Sequence, residues 1–169
     1  MFFVTLMAGL FVVVSSWAQD PARFKKDMGH YLNGPVIEHG GDLIIFTGSS
    51  SIRMWSGLKA DFPGYNVVNR GFGGSQTSDL LAYLDALVIR HKPAAVFIYE
   101  GDNDIAAGEK PDQIMQEVRQ VVAMIRSELP STKIVFISAK PSISRWSLLA
   151  DYLQFNHELK SYAKSEAGW

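Results

Sequence analysis

Four short apolar runs alternate with segments of helical periodicity, and that alternation restricts the chain to a parallel α/β sheet. The runs occupy residues 43–47, 66–69, 94–99 and 133–137. Runs of this kind, without polar alternation, suit strands covered on both faces. Between the second and third, Leu80, Leu81, Leu84, Leu87 and Val88 share one face of a helix expected over residues 78–91, capped by Ser78 or Thr77. Between the third and fourth, Ile114, Met115, Val118, Val121, Val122 and Ile125 form the inward stripe of a helix that begins near Pro111 and ends at Pro130. A short amphipathic helix is expected over residues 20–32 and a final one over about 147–163. Parallel strands joined by right-handed crossovers bind ligands beyond their carboxyl ends. This gathers residues 49–51, 71–75 and 101–104 around one crevice, with 140–146 nearby.

Other features narrow the function class. The 169 residues suit one domain with a real core, and a formal net charge of −1 gives no basic surface for nucleic acid. Residues 2–14 are almost wholly apolar, and Ser16 and Ala18 fit a signal-peptidase site, although no Lys or Arg precedes the run. The segment is short for a membrane span, which needs about 20 apolar residues. Residues 1–18 are therefore expected to be a secretory signal, residues 19–169 the domain, and the mature protein secreted or periplasmic without a stable membrane span. The absence of cysteine excludes disulfides and thiolate catalysis.

Each loop of the crevice carries a group suited to acyl transfer. A serine at a strand-to-helix turn presents a hydroxyl, and turn position alone leaves Ser49, Ser50 and Ser51 equivalent; a polar turn capping a helix reads equally well. In residues 71–74, Gly-Phe-Gly-Gly lets backbone amides face a ligand. It fails as a dinucleotide fingerprint because Gln76 stands where the last glycine belongs, which argues against a flavodoxin-like nucleotide binder. Asn103 offers an uncharged carboxamide donor to an oxyanion. Asp102 and Asp104 lack the spacing of a calcium loop and read as turn residues. No metal or organic cofactor is expected.

Taken in order, these segments resemble the SGNH hydrolases, the GDSL-type esterases and lipases. The first block of the family, Gly-Asp-Ser-Leu, aligns with Gly48-Ser49-Ser50-Ser51; the second places its glycine at Gly74; the third, Gly-x-Asn-Asp, falls on Gly101-Asp102-Asn103-Asp104. The Gly-Ser-Ser-Ser-Ile-Arg form resembles one branch of the family. The resemblance implies a flavodoxin-like three-layer α/β/α fold, with about four strands present and the final strand missing. It implies Ser50 as nucleophile, and the amides of Ser50 and Gly74 with the Asn103 side chain as oxyanion donors. The partner is a small-molecule ester, with an acylated sugar or lipid as the occupant if the module only binds.

Two departures stand out. Ser49 replaces the aspartate of the first block. The Asp-x-x-His block, whose histidine is the family's base, does not occur after the third block, so a truncated, weakly active or inactive chain is expected. His30 and His39 precede the first strand, and His91 ends a helix away from the crevice. Asp151 and His157 lie about 600° apart around a helix and do not face each other as a dyad. All four histidines read as surface or packing residues. Arg145 and Trp146 are candidates for lining the acyl or sugar pocket.

Overall fold

A computed structural model describes residues 20–167. The proposed signal segment lies outside these residues. Four parallel strands, β1 (Ile44–Gly48), β2 (Val67–Gly71), β3 (Ala95–Tyr99) and β4 (Lys133–Phe136), form one sheet in the order β2-β1-β3-β4. Seven α-helices accompany them among the described residues: α1 (Gly29–Leu32), α2 (Ser50–Arg53), α3 (Leu58–Asp61), α4 (Thr77–Leu87), α5 (Asp102–Ala106), α6 (Pro111–Glu128) and α7 (Leu149–Ala167). The register aligns Gly48 with both Gly71 and Tyr99, so β1, β2 and β3 end level and their loops open on one edge.

Strand alternation sends side chains into two cores. On one face Ile45, Val96 and Ile98 meet Leu80, Leu84 and Leu87 of α4 and Val121 and Ile125 of α6. Leu80, Leu84 and Leu87 are fully buried, each worth about 1.5–3 kcal/mol of transfer free energy. On the other face Phe46 stacks on Phe97, ring centroids 4.5 Å apart, beneath Trp55 and Phe62 from the segment around α2 and α3. A third cluster joins α5, α6 and α7 through Ile105, Ile114, Tyr152 and Phe155.

Three expectations need correction. Residues 20–32 are not one helix but a 3-10 turn (Pro21–Phe24) followed by the single turn α1. Asp20 accepts from Ala22 N at 2.9 Å, and Gly29 opens the second turn, so no stretch is long enough to repay helix nucleation. The cap of α4 is Gln76 rather than Ser78 or Thr77: the Asp79 carboxylate reaches back to Gln76 N at 2.9 Å, which makes Thr77 the first helical residue. The last helix starts with a 3-10 segment (Ile143–Leu148) and runs on to Ala167.

β4 also departs from the pattern of a strand covered on both sides. Lys133 and Val135 are exposed, and β4 is one of the two sheet edges among the described residues. A groove of about 930 Å³ follows that edge, lined by Ile134, Phe136, His157 and Leu159 among others, away from the loops after β1, β2 and β3. Among the described residues, no helix is long and apolar enough to cross a membrane.

Candidate active site

Gly48, at the end of β1, adopts φ +124, and a Cβ there would lie 2.1 Å from the Tyr99 carbonyl oxygen. Only glycine lets β1 close on β3 at this point, and the chain then turns at once into α2. The turn separates the three serines. Ser49 is buried, its N–H donating to Tyr99 O at 3.0 Å and its hydroxyl without a partner. Ser51 is exposed and its hydroxyl bonds toward the Tyr99 phenol. Ser50 is half-buried at the first helical position, and its backbone N–H makes no hydrogen bond among the described residues. With one turn, α2 contributes free N–H groups rather than a sizeable macrodipole.

The loop after β2 is tied to this turn. Phe72 N donates to Gly48 O at 2.8 Å, and the Asn69 carboxamide donates to Ile52 O at 2.6 Å while accepting from Gly71 N at 2.9 Å. Gly74 is exposed with φ +83, and its N–H also makes no hydrogen bond among the described residues.

The loop after β3 is tied to the glycine loop in turn. Asn103 Nδ2 donates to Ser75 O at 2.8 Å, and Asn103 Oδ1 accepts from Arg145 Nη2 at 3.2 Å. Arg145 is anchored by an ion pair with Asp102, whose carboxylate also accepts from the Tyr152 hydroxyl. One of the two amide protons of Asn103 remains free to donate. The structure thus stitches together the loops that carry Ser50, Gly74 and Asn103.

Behind the glycine loop lies a buried acidic layer. Asp104, fully buried, accepts from Thr77 N at 2.7 Å and from Gly101 N at 3.1 Å, so it clips two loops together. Burial raises its carboxyl above the usual range. Glu100 accepts from the Ser75 hydroxyl at 2.6 Å, and its second oxygen has no partner. Burial, then the neighbouring Asp104, push the Glu100 carboxyl well above the ordinary carboxylate range. Glu109 and Glu117 are both raised to about 7, by burial first and then by neighbouring carboxylates. Asp104, Glu109 and Glu117 bring one oxygen each within 4.8 Å of one another. Thr77 N and Ser78 N, at the start of α4, serve Asp104 and Glu117, so the gathering is accounted for by the helix N-terminus.

No histidine bonds to Ser50 among the described residues. His91 is buried, with Ile37 N donating to its Nδ1 at 3.1 Å; His39 bonds to His91 O; His30 lies against Tyr31; and His157 is exposed on α7. Trp146 is 61% exposed. Arg145 grips Asp102 and Asn103. That positioning role, and those of Glu100 and Ser75, escaped the sequence reading, since nothing local marks partners so far apart in the chain.

Comparison with known proteins follows this geometry. Residues 39–168 match the model of the GDSL-like Lipase/Acylhydrolase family. Over 78 residues the chain is 33% identical to Esterase TesA of Pseudomonas aeruginosa, covering 46% of this chain and 39% of that protein. The chain therefore spans about two-fifths of the length of this curated relative. A GDSL-like lipase from Bacteroides thetaiotaomicron superposes with TM-score 0.72 at 20% identity, covering 88% of this chain and 76% of the other. An acetylxylan esterase from Geobacillus stearothermophilus, in a catalytic-mutant form, superposes with TM-score 0.60 at 20% identity, covering 78% and 75%. At these identities the superpositions speak for the fold. With a family match spanning most of the sequence, and its sheet and loops in matching order, the chain belongs to the GDSL-like lipase/acylhydrolase family.

Proposed function

We propose that this protein is a serine esterase acting on small carboxylic esters, with Ser50 as nucleophile. The observation that carries the reading is the orientation of Asn103, whose NH2 is turned to the glycine loop by Arg145 while the N–H groups of Ser50 and Gly74 stay unbonded. Three donors without charge are what a developing oxyanion needs. In the reaction, Ser50 Oγ bonds to the carbonyl carbon, the C–O bond to the alcohol breaks, and the alcohol leaves with the proton. Water then attacks the acyl-serine and releases the carboxylic acid, and Ser50 regains its proton.

The general base is the one component that these residues do not bring to Ser50. The proposal therefore gives this chain alone weak or no turnover, since loss of one triad member costs orders of magnitude. Added imidazole supplies the missing base. With p-nitrophenyl acetate and imidazole, the protein should acquire an acetyl group on the peptide containing Ser50, and S50A should not. Acetylation of wild type no faster than of S50A sinks the reading.

A further inference from the structure

We propose that Arg53 forms an anion-recognition subsite beside the glycine loop, selecting esters that carry a second, negatively charged group such as a carboxylate. This deepens the esterase reading and rests on it.

Ser50 and Arg53 are three residues apart on the single turn of α2, a spacing that places side chains on neighbouring positions of one helix face. The backbone of this turn is fixed against β2. A Cβ on Gly71 would lie 2.4 Å from Arg53 N, and Asn69 holds the adjoining Ile52 carbonyl. The Arg53 side chain then extends over the next stretch of the loop. A Cβ on Gly73 would meet its Nε at 2.6 Å and its Cζ and Nη2 at 3.0 Å. These distances put the Nε–Nη2 side of the guanidinium in contact with Gly73, one residue before Gly74.

The charge around the loops is asymmetric. Arg145, flanking Asn103, is paired with Asp102. The Arg53 side chain, flanking Gly73, makes no ion pair or hydrogen bond among the described residues and is exposed, while its backbone N–H donates to Ser49 O at 3.1 Å. The remaining acids of these loops do not reach it: Asp104 is fully buried on backbone N–H groups, and Glu100 is buried and accepts from the Ser75 hydroxyl. A guanidinium resting beside the glycine loop with no carboxylate partner keeps N–H donors for a carboxylate, which a guanidinium can bind in bidentate fashion.

The test uses a matched pair of probes, monomethyl succinate and its neutral analogue dimethyl succinate, titrated into the whole isotope-labelled chain while the Gly73 and Gly74 amides and the Arg53 Nε–H are followed by NMR. The monoanion should bind about tenfold tighter than the diester and shift all three signals. R53Q should abolish the difference between the probes, and R53K should keep part of it. Added salt should weaken the monoanion alone. Equal binding of the two probes, no shift at Gly73 and Gly74, or a preference that survives in R53Q overturns the subsite. Because these readouts need no hydrolysis, they separate the two ideas. A monoanion preference without Ser50 acetylation sinks the esterase reading only, and acetylation without a preference sinks the subsite only.

Discussion

Arg145 Nη2 donates to Asn103 Oδ1 at 3.2 Å, and this bond decides which way the Asn103 carboxamide faces. With its oxygen engaged, Asn103 turns its NH2 toward Ser75 O, 2.8 Å away, on the glycine loop. Asp102 holds Arg145 in place and is itself braced by Tyr152. An ion pair braced by a tyrosine hydroxyl thus fixes the orientation of the uncharged Asn103 carboxamide.

If Asn103 supplies an oxyanion donor, N103A should lower the rate of imidazole-supported Ser50 acetylation by about 10²–10³-fold. R145A leaves the donor present but unoriented, so it should cost less, about tenfold, with apparent ester affinity held. Comparing acetylation rates of the two variants over a range of ester concentrations checks this. An R145A rate equal to wild type would show that Asn103 keeps its orientation without the arginine.

Asp104 is predicted to matter for stability before chemistry. D104A removes the acceptor of two N–H groups, Thr77 N and Gly101 N, at a fully buried position. Leaving both unpaired should cost about 2–4 kcal/mol in urea unfolding. D104N keeps one oxygen acceptor and should lose roughly half as much.

Glu109 and Glu117 set a pH dependence whose direction follows from their raised carboxyls. Between the ordinary value of 4.5 and about 7, the unfolded chain releases these protons while the folded chain retains them. Their contribution is therefore fully present below pH 4.5 and is lost as pH rises to about 7 and beyond. Both groups are partly solvated, so screening reduces the effect to on the order of 1 kcal/mol each. E109Q should raise Tm at pH 8 by more than at pH 5. An equal gain at both pH values would contradict the coupling.

Burial disfavours the charged form of Glu100, so the isosteric E100Q should change stability by no more than about 1 kcal/mol, the amide oxygen still accepting from the Ser75 hydroxyl. Wild type should lose stability as pH rises above the ordinary carboxyl range, since burial opposes ionisation in the folded chain alone. E100Q should flatten that part of the profile. Thermal melts from pH 6 to 9 compare the two proteins.

Much of the fold was legible because its signals are local. The stripe from Ile114 to Ile125 is buried as its spacing requires, and Pro111 opens α6. The four strands fall within a few residues of their apolar runs. Less was legible where a local signal was weak or absent. Residues 20–32 carry an amphipathic pattern but lack the length to sustain a helix. The cap of α4 lay with Gln76, because the deciding group was the Asp79 carboxylate on the next turn. Among the three serines the turn gave no ranking, and it took the family alignment to single out Ser50.

The sequence by itself determined the layered class of the fold, the order of the loops and the residue types available in them. Periodicity and glycine placement act within one element, so a linear reading detects them. Only the tertiary structure decided that Arg145 orients Asn103 from 42 residues away, that Asp104 clips Thr77 to Gly101, and that Arg53 covers Gly73. Those contacts depend on parallel strands ending level at one sheet edge, and that register emerges when the two cores pack against each other.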